Sequence, residues 1–206
     1  MTSSATGLVL RSATGAPYRF DPGTLCLELL PTGGPSAFAR YEVLHEPADL
    51  ADWAGSSRLT PTPAVAVSPE ELVAARALRD ALWRLALARA EGAPVTPADL
   101  AVVNEAAARP ALAPSAGPDG ERAWAGPLTG ERLLATVARD AVELLTGPFR
   151  DRIRMCSGER CHLVYVDTSR PGSRRWCSME HCGNRHKVRA SRARARRSGE
   201  PEEGKG

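Results

Sequence analysis

The sequence predicts a mainly α-helical N-terminal domain with minor β structure, followed by a small C-terminal module of a β-hairpin and a helix. Three observations carry this prediction. Apolar residues recur at helical spacing in several segments before residue 149. Charge divides at the same point: residues 1–149 hold 12 Lys and Arg against 17 Asp and Glu, whereas residues 150–206 hold 15 against 7. Four of the five cysteines fall between Cys156 and Cys182.

The chain has 206 residues, 43% hydrophobic and 25% charged, the balance of a soluble globular protein of one domain or one plus an appendage. No apolar run reaches the roughly 18–20 residues of a membrane span. Met1–Gly15 lacks a basic region followed by an apolar core, so a cytoplasmic protein is expected. Of the 27 basic side chains 25 are arginine, which reads first as high-GC codon usage and only then as a preference for phosphate.

The elements follow in chain order. Residues 1–16 are small and polar and read as a loose arm. Thr24–Leu30 is apolar and short, and its period fits a strand or a buried helix equally. Pro47–Ala54 reads as a short helix with Leu50 and Trp53 on one side, and Pro61 and Pro63 exclude helix after it. Ser68 opens the clearest helix. It is a good N-cap, Pro69 suits the first turn, and Glu71 completes a capping box. Leu72, Ala75, Leu78, Leu82, Leu85 and Ala86 form its inward stripe, and Gly92 and Pro94 stop it. Thr96-Pro97 starts the next helix, which ends before Pro110. Residues 111–127 read as a loop or a weak hairpin. Thr129 begins a helix to about Leu145 with Leu133, Leu134, Val137, Ala141 and Leu144 inward, and Gly147-Pro148 ends it. A domain over residues 17–149 is long enough to bury its own core. A module at 150–197 and a disordered polar tail at 198–206 complete the chain.

The cysteines are spaced Cys156-x4-Cys161-x15-Cys177-x4-Cys182. Two ligands from one tight turn and two from a second suit a tetrahedral structural zinc, for which thiolates are favoured. Four ordinary buried cysteines, or two disulfides, are the other readings. His162, His181 or His186 could replace one thiolate. In the spacer, Leu163–Asp167 is strand-like, Ser169–Ser173 is turn chemistry, and Arg174–Trp176 can return as the second strand. Four thiolates leave no open position for water, so one structural ion is expected, in a treble-clef or ribbon-like zinc finger.

The run from Trp176 to Arg189 resembles the signature of the CGNR zinc finger family, spelled by Cys182-Gly183-Asn184-Arg185. Cys156-x4-Cys161, Tyr165, Asp167 and Ser169 fit the same pattern, and the resemblance covers about residues 150–197. Members usually carry an N-terminal helical stress-induced transcription regulator (ABATE) domain. Leu25–Leu29, Ala77–Leu82 and Leu100–Asn104 sit where that domain has similar segments. The family tends to have Asn-Thr after its first apolar segment, where this chain has Pro31-Thr32. The resemblance implies a zinc-dependent, DNA-binding regulator.

A helix after Cys182 would place Arg185, Arg189, Arg192 and Arg196 on one face, pointing outward, with Val188 against the hairpin and Trp176. With Asn184 and Lys187, these are the candidate nucleic-acid contacts. Arginine binds phosphate bidentately and reads guanine, and an α-helix fits the major groove of duplex DNA. RNA binding or protein interaction is the alternative. Tyr165 and Trp176 either core the hairpin or stack unpaired bases. Arg79 and Asn104 are candidates for a small-molecule pocket between helices, or are surface residues. A homodimer and an unidentified effector are both compatible with the chain. No glycine-rich phosphate loop, nucleophile elbow, paired-His protease motif or zinc-deaminase pattern is present, so no enzymatic activity is expected.

Overall fold

The computed structural model describes residues 7–198, with side chains to residue 194. Residues 1–6 of the expected arm, 199–206 of the expected tail and the side chain of Arg196 lie outside the described residues. The fold is mainly helical with three small antiparallel strand pairs, as expected for its class.

Caps written in the sequence set the long helices. In α3 (Pro69–Glu91), the Ser68 side chain accepts from the Glu71 N–H and Glu71 accepts from the Ser68 N–H. Gly92 ends α3 at φ 70°, the left-handed position that glycine fills without steric cost. Helix α5 (Gly130–Thr146) begins at Thr129, whose side chain accepts from the Arg132 N–H. The Glu71 carboxylate also accepts from the Glu131 N–H, so it ties the start of α3 to the start of α5. Helix α4 (Pro97–Ala107) lies between them in sequence and packs against both.

The ambiguous segment resolves as helix. Leu25–Glu28 forms α1 and a 3-10 turn follows at Leu30–Thr32. Leu25, Cys26, Leu27, Leu29 and Leu30 are all buried, which a helical turn achieves and an alternating strand would not. Helix α2 (Pro47–Ser56) adds Leu50 and Trp53 to the same core. Gly33 and Gly34, at φ 147° and 150°, let two side chains of α3 come close. A Cβ at Gly33 would stand 2.6 Å from Arg79 Nη1, and one at Gly34 would stand 2.6 Å from the Trp83 ring. Trp83 Nε1 donates to the Leu30 and Gly33 carbonyls.

Two features differ from the sequence reading, and a third is decided between its alternatives. From Leu8 on, the arm is a hairpin, with β1 (Leu8–Arg11) paired to β2 (Pro17–Phe20). Leu8 and Phe20, paired at the open end of the hairpin, are both buried, so large apolar anchors fix a segment whose turn residues are small. Of loop and weak hairpin, residues 111–127 take the hairpin, with β3 (Ala113–Ala116) paired to β4 (Arg122–Ala125) and held to Pro61 by Trp124 Nε1. The C-terminal strand β6 (Val164–Val166) pairs with β5 (Ile153–Met155) ahead of it, not with Arg174–Trp176. Ile153, Val164 and Val166 enter the helical core on that pairing, and the alternative partner has no apolar residue but Trp176 to offer.

Candidate metal centre and nucleic-acid interface

Strand order brings the cysteines together. The turn after β5 carries Cys156 and Cys161. A loop over 167–176 returns the chain to Cys177, and a π-turn over Met179–Gly183 carries Cys182 into α6 (Asn184–Ser198). The four Sγ atoms all lie within 4.8 Å of one another. Cys161 and Cys177 Sγ are 3.8 Å apart, the separation of two thiolates sharing a tetrahedral ion at about 2.3 Å each. Cys156, Cys177 and Cys182 are buried and Cys161 half-buried. A Cβ at Gly158 would reach 2.7 Å from Cys182 Sγ, so only glycine leaves the knuckle room to close on the sulfurs.

Backbone N–H groups favour the thiolate at Cys156, whereas the Cys156 sulfur and burial push the Cys161, Cys177 and Cys182 thiols up until an ion is bound. Gly158 and Cys177 N–H groups point at Cys156 Sγ, at 3.4 and 3.2 Å. Hydrogen bonds from the Cys161 and Cys177 thiols, with these N–H groups, hold the Cys156 thiol far below its ordinary pKa. The donor set and its spacing fit a single zinc ion held by four sulfurs, with no position left for water. The histidines meet rings instead of sulfurs. His162 is edge-on to Phe38, His181 stacks on Tyr18 at 4.2 Å and 9°, and His186 tilts over Trp176 at 4.8 Å.

Asp167 shapes the return loop. Its carboxylate accepts from the Ser169 N–H and hydroxyl and from the Arg174 N–H. Burial raises its pKa, but these bonds and Arg152 outweigh it and hold the carboxyl low. Tyr165 is fully buried, donates its hydroxyl to the Arg174 carbonyl and lies under the Arg174 guanidinium. It is therefore a core residue and is not available to stack a base. Trp176 is half-buried against His186.

The candidate contacts Asn184, Arg185, Lys187, Arg189 and Arg192 are all exposed on α6. Arg185, Arg189 and Arg192 share a face, and Lys187 falls on the opposite one. The face does not protrude freely, as the sequence suggested. The β1–β2 turn stands on one side of it and the Ser157–Glu159 knuckle on the other. Arg189 pairs with Glu159, Arg185 Nη1 lies 3.5 Å from His181 Nε2, and Asn184 Nδ2 donates to the Glu180 carbonyl at 3.4 Å. Val188 is exposed, and His186 takes the place on Trp176 expected for it.

Arg79 and Asn104 do not share a pocket. Arg79 is buried and grips both Glu42 oxygens at 2.7 Å, with a further bond to Asp80. Its charge is thus consumed within the fold, where a long-range partner not evident from spacing supplies the anion. Asn104 lies on the exposed face of α4.

Sequence reasoning missed the N-terminal contribution to the metal module. Phe20 lies in one apolar cluster with Cys156, Tyr165, Cys177 and Cys182, and Leu10 and Tyr18 pack beside it. The apolar runs on either side of Thr14-Gly15 are the signal that could have found the hairpin.

Residues 23–148 match the family model ABATE, "Putative stress-induced transcription regulator", and residues 152–195 match the CGNR zinc finger. No curated protein matches the chain. The first match spans more than half of the 206 residues, and the second contains all four clustered cysteines. The chain therefore belongs to the ABATE family and carries a C-terminal CGNR zinc finger.

Proposed function

We propose that this protein is a zinc-dependent transcriptional regulator, acting in the cytoplasm, that binds double-stranded DNA through the finger and α6. It is a binding protein and not an enzyme, in keeping with four thiolates that saturate the metal. The observation that carries the reading is a run of exposed basic residues on α6, rooted one residue after the buried Cys182-Gly183. Residues 150–197 hold 14 basic and 4 acidic side chains, a charge suited to a polyanion. The N-terminal domain then serves association or effector sensing.

The test is selection of the zinc-loaded full chain against a random duplex pool at physiological salt. An enriched motif that is lost on chelation is expected, and a palindrome within it would report a dimer. Four to six neutralised phosphates give a log–log salt slope of about −4 to −5. Retention without a motif, no retention, or salt-independent affinity would overturn the reading. It would favour a zinc-stapled RNA-binding or protein-interaction module instead.

A further inference from the structure

We propose that the β1–β2 turn and α6 together clamp one sugar–phosphate strand of duplex DNA, so that the arginine stripe reads backbone and not base edges. This rests on the DNA-binding reading above. The two elements enclose a cleft of about 590 Å³. Its hairpin wall is the turn Ser12–Pro17. Its helix wall carries Asn184, Val188 and Arg192, and Arg185 and Arg189 lie along it. Glu180 is the one acidic residue lining it, against three arginines. Tyr18 stacked flat on His181 pins the two walls to each other.

The position of the stripe decides what it can reach. Arg185 and Arg189 also line a second, smaller cleft of about 210 Å³ on the knuckle side, with Ser157, Gly158 and Glu159. The arginines therefore sit in a trough between two raised walls. A base edge lies roughly 8.5 Å down the major groove and is read by a side chain on a protruding element. A trough instead admits the ridge of the duplex, which is a single phosphodiester strand. From Arg185 to Arg192 the helix advances roughly 10.5 Å. At about 3.4 Å of axis per phosphate on one strand, that spans about three phosphates.

The hairpin adds neutral donors. Ser12 and Thr14 hydroxyls hydrogen-bond each other at 2.9 Å. One hydroxyl proton bridges the pair and the other is left to donate to a phosphate oxygen. On the far wall Glu159 holds Arg189, and a phosphate entering the trough would exchange with that carboxylate for the same guanidinium. Exchange of one anion for another leaves Arg189 paired in the free and the bound state.

The experiment compares duplex affinities of the zinc-loaded full chain and three variants. Thr14→Glu puts a carboxylate on the exposed turn, where the Thr14 hydroxyl is hydrogen-bonded to Ser12. Ala116→Glu makes the same change of charge on the β3–β4 hairpin. Thr14→Glu should weaken binding at least tenfold and Ala116→Glu by less than about twofold, with zinc content and melting temperature unchanged in both. Arg192→Ala should weaken binding to a selected motif and to a scrambled duplex by the same factor, and reduce the salt slope by about 1. Equal effects of Thr14→Glu and Ala116→Glu would remove the hairpin from the interface. Loss of preference at one base pair in Arg192→Ala would make the stripe a base reader. Either result overturns the clamp while the wild-type chain still binds duplex. Failure of the wild-type chain to bind duplex, or tighter binding of single-stranded RNA, would overturn the DNA reading itself.

Discussion

Arg79 is 2% exposed, and its place in the fold depends on a single bidentate partner, Glu42. Burial pushes the Glu42 carboxyl up, but hydrogen bonds from Arg79 and the Leu44 N–H, with the charge of Arg79 and Arg76, outweigh it and leave its pKa lowered. A carboxylate with a folded-state pKa below its unfolded value stabilises the fold above the ordinary range near 4. That stabilisation is lost as pH falls through the folded value. Glu42→Gln keeps the shape but takes away the bidentate anion and leaves the guanidinium the Asp80 carboxylate alone. It should cost about 3 kcal/mol at pH 7, the lower end for breaking a buried pair because Glu42 is partly exposed. The gap in melting temperature between wild type and variant should then narrow below about pH 4, followed by helical circular dichroism. A gap that stays constant from pH 7 to pH 3 would show that the pair contributes through shape and not charge.

At the scale of elements, the N-terminal hairpin behaves as a layer of the zinc module. Phe20 fills the cluster behind the cysteines, and Arg174 Nη2 donates to the Asp21 carbonyl at its exit. Phe20→Ala should cost about 3–5 kcal/mol and weaken zinc retention against a competing chelator. Val9→Ala on the exposed face of the same hairpin should leave retention unchanged. On the other side of the metal, Asp167→Asn turns one acceptor into a donor facing the Ser169 or Arg174 N–H. It should cost about 1–3 kcal/mol and loosen the Cys177 return. Cys161→Ser should release the zinc outright, and stoichiometric metal in that variant would remove Cys161 from the ligand set. The helices and the cysteine quartet were legible because their signals are local: caps, apolar stripes and a fixed spacing. Strand pairing was not. Three-residue strands carry no register of their own, and β6 takes β5 as partner because that choice buries Ile153, Val164 and Val166 against helices far away in sequence. The partners of Phe20 and Arg79 are likewise distant, and no spacing rule reaches them.

At the scale of the whole molecule, the charge divide near residue 150 marks a change of surface and not a break in packing. β5 and β6 join the helical core through Ile153, Val164 and Val166, and the Val166 N–H donates to the Pro22 carbonyl. Gly23 lies against Val166, and a Cβ added there would stand 3.2 Å from the Val166 Cβ. Burying three such side chains contributes about 5 kcal/mol, a large share of the roughly 5–15 kcal/mol by which a domain is stable. Metal removal uncouples the cysteines that hold these strands in register, because binding and folding are linked in such modules. Chelation should therefore lower the melting temperature of the helical domain as well as that of the finger, by about 10 °C or more for a chain of this size. Trp53 and Trp83 report the helical core and Trp176 reports the finger. With Trp176 replaced by phenylalanine, the remaining buried tryptophan signal should still shift to lower temperature when zinc is withdrawn. If that signal melts at the same temperature with and without zinc, the two regions are energetically independent, and the shared strands contribute nothing to the stability of the core.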